Sequence, residues 1–166
     1  MVPPPPGFIK INFDGSLLNS SAAGGYVLRD WTGKLLKVGV ANYGHTSITV
    51  AEARALKDGA SVAIQAGYRR LLIEGDNTIV IQALAGNIQV PWKIATITED
   101  FHLWVKRDTL FRVQHIFREA KIAADWQSKF EHIITNSISS DIYFSSTIGD
   151  ILTTDLVGHT LVRRGV

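Results

Sequence analysis

The sequence predicts an α/β domain in which a mixed sheet carries helices on its faces. Three observations predict it: an opening stretch of period-2 alternation, a switch near residue 50 to helical spacing, and a later succession of helix and strand signals. In the opening stretch, Phe8-Ile9-Lys10-Ile11-Asn12-Phe13 puts Ile9, Ile11 and Phe13 on one side of a strand, and Asp14-Gly15 reads as the turn that ends it. Residues 24–29 and 34–43 are two more β-like runs, divided by Asp30-Trp31-Thr32-Gly33, where glycine takes a positive φ at little cost. An antiparallel meander follows from these three runs. Glu52, Leu56, Ala60 and Ala63 then share one helical face until Gly67 stops the helix. Residues 70–74 form a short apolar strand, Gly75-Asp76-Asn77 turns the chain, and 78–84 reads as a short helix. A strand reached through a helix implies a crossover and a parallel pairing. A helix over 94–107, a strand over 110–117 and a helix over 122–134 complete the order β-β-β-α-β-α-α-β-α.

A chain of 166 residues, 46% of them apolar, can bury one substantial core without covalent staples. The absence of cysteine excludes disulfides, thiolate metal sites and cysteine nucleophiles, so a metal must be held by Asp, Glu, His or Asn. A net charge of +2 is too small to mark a strong polyanion magnet, although a pI of about 9.0 is compatible with one. No apolar run approaches the roughly 18 residues of a membrane span and no basic-then-apolar leader opens the chain, so the expectation is a monomeric protein of the nucleus or cytoplasm, without membrane contact. Four of the five prolines stand at Pro3 to Pro6, giving residues 1–7 the character of a proline-rich linker. The domain is then expected over 8–135, with a Ser/Thr-rich tail of unknown role over 136–166 and no internal repeat. The tryptophans are expected in the core, not on a base-stacking surface.

Four carboxylates carry the candidate chemistry, and each has a local explanation. Asp14 is a turn residue in Asp-Gly, Thr49-x-x-Glu52 is a capping box, Asp76 is an N-cap, and Asp125 sits in the first turn of a helix where negative charge is favoured. Glu52 is also in line with Leu56, Ala60 and Ala63, on the face that meets the sheet, where a lone carboxylate is costly. Local roles also leave the joint pattern unexplained: two acids at carboxyl ends of strands and two at starts of helices beside those ends, the edge where open α/β sheets bind ligands. Carboxylates gathered there repel unless cations lie among them, and hard oxygen donors select Mg²⁺ or Mn²⁺. A two-metal phosphoryl-transfer site is the economical reading.

Lys10-Ile11-Asn12-Phe13-Asp14-Gly15-Ser16, Ala51-Glu52-Ala53-Arg54-Ala55-Leu56, Glu74-Gly75-Asp76-Asn77 and His115-Ile116-Phe117-Arg118-Glu119-Ala120 leading to Ala124-Asp125 form four ordered motifs. Together, over about residues 7–129, the chain resembles the type 1 ribonuclease H domain. Within it, the plant reverse-transcriptase-like group, related to the terminal domain of non-LTR retrotransposon polyproteins, is the most similar. The resemblance implies a ribonuclease H-like fold with a five-stranded mixed sheet, and endonucleolytic cleavage of the RNA strand of RNA/DNA hybrids with two Mg²⁺ ions, Mn²⁺ substituting. It implies that Asp14 bridges both metals, that Asp125 helps hold the one that activates water, and that Glu52 and Asp76 hold the one facing the leaving 3′-oxygen. Products would carry 5′-phosphate and 3′-hydroxyl ends.

Gly15, Ser16, Asn77 and Arg118 are the candidate substrate contacts, Ser16 and Asn77 because their donors can reach backbone or 2′-hydroxyl groups, Arg118 as a phosphate contact or as the ion-pair partner of Glu119 or Asp125. His115 is a possible auxiliary by analogy with a bacterial loop histidine, but its place in the strand pattern beside Phe111, Val113 and Phe117 favours a hydrogen-bonded structural histidine. Lys121 stands where these relatives usually carry Asn, and Gln127 where they carry Leu. The alternatives are a catalytically silent nucleic-acid- or partner-binding remnant of a retrotransposon, and an exonuclease or resolvase of the same superfamily. A Ca²⁺ module would need its ligands within one loop, and these acids are dispersed.

Overall fold

The computed structural model describes residues 2–106 and 108–117. Within them lie β1 Ile9–Leu18, β2 Ser21–Arg29, β3 Leu35–Gly44, α1 Ile48–Gln65, β4 Arg70–Gly75, α2 Thr78–Ala85, α3 Ala95–Val105 and β5 Leu110–His115, with a turn of 3-10 helix, Trp92–Ile94, leading into α3. The strands form one sheet in the order β3-β2-β1-β4-β5. β1/β2 and β2/β3 are antiparallel, while β1/β4 and β4/β5 are parallel. The topology is the one expected, a meander followed by crossovers. The helix expected over 122–134 and the tail over 136–166 lie outside the described residues.

The core forms between one face of this sheet and α1. Ile9, Ile11 and Phe13 of β1, Tyr26 and Leu28 of β2, and Leu71 and Ile73 of β4 are buried with Ala53, Leu56, Ala60 and Ala63 of α1. Small α1 residues let the helix come close: a Cβ placed on Gly59 would lie only 3.0 Å from Ile11 and Tyr26. Phe101 of α3 and Ile81 and Leu84 of α2 extend the same core.

Three local readings are corrected by long-range packing. β1 does not end at Asp14-Gly15 but continues to Leu18, with Asp14 opposite Gly25 and Gly15 opposite Gly24. The two-residue hairpin turn is Asn19-Ser20, at φ 49° and 64°, the left-handed conformation that such a turn requires. Helix α1 is capped by Ser47, whose hydroxyl accepts from the Val50 N–H at 3.3 Å, so Thr49 lies inside the helix and no Thr49/Glu52 capping box forms. Asn77, not Asp76, caps α2, its Oδ1 accepting from the Val80 N–H at 3.1 Å. The Asp30 turn is as expected: its Oδ1 accepts from the Thr32 and Lys34 amides, and Gly33 takes φ 85°. Trp92 is 82% exposed in the 3-10 turn and Trp31 is 47% exposed in the β2–β3 turn, so neither is a core residue.

The other face of β1 and β4 carries a buried polar network. Lys10 Nζ lies 3.0 Å from Glu74 Oε1, and Asn12 Nδ2 donates to Glu74 Oε2 at 3.1 Å. The parallel register sets Asn12 opposite Glu74 and so brings this pair together. The proline stretch touches the same strand: the Val2 carbonyl accepts from Lys10 Nζ, the Phe8 N–H donates to the Pro5 carbonyl at 3.0 Å, and Pro4 is buried. The Phe8 ring is flanked by the guanidinium groups of Arg112, 4.7 Å from its centroid, and Arg70, at 5.8 Å.

Candidate active site

Asp14 lies on the central strand and is 1% exposed. Gly15 sets its distance from α1. A Cβ there would fall 2.8 Å from the Glu52 amide nitrogen and 3.0 Å from Glu52 Cγ, so only glycine lets the helix backbone rest on β1 at this point. Glu52, 3% exposed, is thereby held beside Asp14. Asp76 follows β4 directly, half-buried between the strand and α2. Gly75 before it packs on the Phe13 ring, which a Cβ would approach to 2.4 Å. Along the chain Gly75 reads only as a turn residue, and nothing local to it marks the Phe13 ring as its neighbour.

The carboxylates of Asp14, Glu52 and Asp76 each present an oxygen within 4.8 Å of the others. Three segments far apart in sequence thus bring three of the four predicted acids together; Asp125 lies outside the described residues. Two unit charges 4.8 Å apart repel by on the order of 3 kcal/mol at an effective dielectric constant of about 20, so the cluster favours a cation. Asp14 and Glu52 make other contacts, yet Asp14 Oδ2 and Glu52 Oε2 are buried oxygens that receive no hydrogen bond. Hard, all-oxygen donors of this kind fit Mg²⁺ or Mn²⁺. The residues present therefore suit the divalent ions that the sequence motifs imply.

The remaining predicted residues divide. Gly15 acts as the spacer under α1, and Ser16 follows it on β1, half-buried. The Asn77 side-chain oxygen is engaged in capping α2, so any contact with substrate falls to its amide donors. β5 ends at His115, which is exposed, with Nε2 3.1 Å from the main-chain oxygen of Asp76 and its ring edge-on to Phe117. Arg118 lies outside the described residues.

One further pair of titrating groups was not foreseen. The Tyr43 hydroxyl donates to Asp58 Oδ2 at 2.6 Å, and the Arg54 guanidinium lies 5.7 Å from the Tyr43 ring centroid. Burial pushes the Asp58 carboxyl above its ordinary range and the Tyr43 phenol well above its own, the latter helped by the neighbouring Asp58 charge. At helical spacing Asp58 falls on the opposite side of α1 from Leu56 and Ala60, so the sequence signals neither its burial nor Tyr43 as its partner.

Comparison with known proteins bears on this arrangement. A family model described as "Reverse transcriptase-like" matches residues 12–131. The chain is 27% identical over 165 residues to an Arabidopsis thaliana protein named "Putative ribonuclease H protein"; the match takes in 98% of this chain and 27% of that one, so the chain spans about a quarter of that relative's length. Among solved structures, the N-terminal RNase H domain of a Mycobacterium tuberculosis protein superposes with a TM-score of 0.72 at 18% identity, over 76% of this chain and 94% of that domain. RNase H1 of Halobacterium salinarum gives 0.69 at 20% identity, over 75% and 98% of the two chains. LC11-RNase H1 in complex with an RNA/DNA hybrid gives 0.65 at 22% identity, over 76% and 99%. With sheet order, crossovers and match over most of its length in agreement, the chain has the ribonuclease H-like fold and belongs to the reverse transcriptase-like family.

Proposed function

We propose that this chain is an endonuclease that hydrolyses the RNA strand of RNA/DNA hybrids, with Asp14, Glu52, Asp76 and Asp125 holding Mg²⁺, or Mn²⁺ in its place. The observation that carries the reading is the convergence of Asp14, Glu52 and Asp76, each with a carboxylate oxygen within 4.8 Å of the others. Divalent ions bound there would activate water as the nucleophile and offset charge on the departing 3′-oxygen, which leaves 5′-phosphate and 3′-hydroxyl ends. The chain's own contribution is placement. β1 and α1, pressed together at Gly15, hold Asp14 and Glu52 rigidly, while the β4–α2 turn presents Asp76 from the other side. Ser16 and the amide of Asn77 stand next to those acids and can donate to phosphate or 2′-hydroxyl oxygens, the group by which a protein distinguishes RNA from DNA. Arg118 is the candidate for a phosphate contact beyond β5. The names of the Arabidopsis relative and of the hybrid-bound RNase H1 point to the same substrate.

The test is a gel assay of a labelled RNA/DNA hybrid with Mg²⁺, run beside single-stranded RNA, duplex RNA and duplex DNA. The expected result is cleavage of the hybrid alone, with Asp14→Asn slower by roughly a thousandfold, the several kcal/mol of charge stabilisation that a bound metal supplies. The metal-free variant should melt no lower than the wild type, because a like charge has been removed. An Asp14→Asn protein that cuts as fast as wild type refutes the site. A wild-type protein that binds the hybrid without cutting it would be a silent binding domain instead.

A further inference from the structure

Asp76 is the one acid of the described cluster that sits on neither a strand nor a helix, so something else must fix its backbone. The residue before it is fixed: Gly75 packs on the Phe13 ring and its carbonyl accepts from the Ile116 N–H at 2.9 Å. The residue after it is fixed as well, because Asn77 caps α2 through the Val80 N–H and its carbonyl accepts from the Ile81 N–H at 3.0 Å. Among the described residues, His115 reaches Asp76 from across the sheet. β5 pairs in parallel with β4 so that His115 lies opposite Gly75, and His115 Nε2 comes 3.1 Å from the Asp76 main-chain oxygen. A carbonyl oxygen can only accept, so Nε2 carries the proton in this bond.

We infer that His115 is a positioning residue for Asp76: its Nε2–H grips the Asp76 carbonyl and sets the peptide from which the carboxylate is aimed at Asp14 and Glu52. The inference rests on the metal-site reading above and deepens it. The bond acts on the main chain of the turn, and the side chain of a residue with no regular secondary structure follows its φ and ψ. Losing the grip frees the peptide between two anchored neighbours, and the Asp76 oxygen drifts from the other two. Partners that orient a metal ligand commonly change affinity by tenfold or more when removed. Phe117, edge-on to the imidazole at 6.0 Å, restricts where the ring can swing.

The experiment titrates the metal-free 166-residue chain with Mn²⁺ alone by calorimetry, for wild type, His115→Phe, His115→Gln and Asp76→Asn. His115→Phe keeps a ring beside Phe117 but has no donor, and roughly tenfold weaker Mn²⁺ binding is expected. His115→Gln places an amide donor at about the reach of Nε2 and should return affinity to within about threefold of wild type. A role confined to holding β5 in the sheet would instead lower the metal-free melting midpoint and leave Mn²⁺ affinity alone. Wild-type affinity in His115→Phe, with binding lost in Asp76→Asn, overturns the inference and leaves the metal site standing. Unchanged binding in Asp76→Asn overturns both. Should His115→Phe fail to fold, NMR of wild-type His115 at about pH 8 decides the matter: an Nε2 proton protected from exchange with water supports the grip, and a freely exchanging Nε2 proton or a predominant Nδ1–H tautomer refutes it.

Discussion

Gly15→Ala separates the geometry of the site from the stability of the fold. The new Cβ would stand 2.8 Å from the Glu52 amide nitrogen, 3.0 Å from Glu52 Cγ and 3.1 Å from the Ala51 carbonyl carbon. Ordinary carbon contacts begin at about 3.5 Å, so β1 and α1 must part by roughly half an ångström at this point. Two of the three obstructing atoms are helix backbone, which cannot swing aside as a side chain can. Overpacking of this kind costs about 1–3 kcal/mol, or roughly 2–10 °C in melting midpoint for a chain of this size. The displaced residue is Glu52 itself, and misplacement by about 1 Å can cost on the order of a hundredfold in rate, so half that distance should cost about tenfold. The comparison variant is Leu56→Ala one helical turn on, which opens a core cavity costing about 2–5 kcal/mol without pushing Glu52 from Asp14. Hybrid cleavage, Mn²⁺ affinity and thermal midpoint are measured on both. Gly15→Ala is expected to lose more activity and more metal affinity than Leu56→Ala while losing no more stability. If Gly15→Ala keeps wild-type cleavage and Mn²⁺ binding, the contact between Gly15 and α1 does not set the site and the reasoning fails.

Three further predictions concern buried polar groups away from the carboxylate cluster. Lys10→Met leaves Glu74 buried without its cation and should cost about 3–5 kcal/mol by denaturant unfolding, whereas Lys10→Met combined with Glu74→Leu should recover most of that loss; a double variant no more stable than the single one contradicts the pairing. Asp58 has its carboxyl raised above the ordinary 3.8 by burial, so the folded state holds the proton more tightly than the unfolded one. Its contribution to stability is therefore fully present below about pH 4 and is lost as pH rises through the raised folded value. Relative to Asp58→Asn, the wild type should lose midpoint as pH rises above about 4, and a difference that stays flat or grows with pH would show that burial does not govern this carboxyl. At the alkaline end, the raised Tyr43 phenol predicts stability that falls as pH climbs past about 10, and a Tyr43→Phe protein that lacks this fall would locate it.

The sequence by itself determined the strands and helices whose pattern is periodic. Ile9, Ile11 and Phe13 at period 2, and Glu52, Leu56, Ala60 and Ala63 at helical spacing, report burial on one face, and burial is what holds β1 and α1 together. The order of those elements was enough for the meander and the parallel crossovers, and the motifs around Asp14, Glu52 and Asp76 identified the acids that converge. What only the tertiary structure decided is which of two local roles each polar residue plays. Asp14-Gly15 has the chemistry of a hairpin turn, Thr49 to Glu52 that of a capping box and Asp76 that of an N-cap, yet Asn19-Ser20, Ser47 and Asn77 perform those tasks. Local hydrogen bonds of this type are worth about 1 kcal/mol and have close rivals one or two residues away, so they yield to packing worth several times as much. The glycines show the same dependence in reverse. Gly15 and Gly75 read as turn residues along the chain, but at one the missing Cβ admits the backbone of α1 and at the other the ring of Phe13. Those neighbours lie about forty and sixty positions away along the chain, and a space defined by such distant atoms has no periodic or local signature in the sequence.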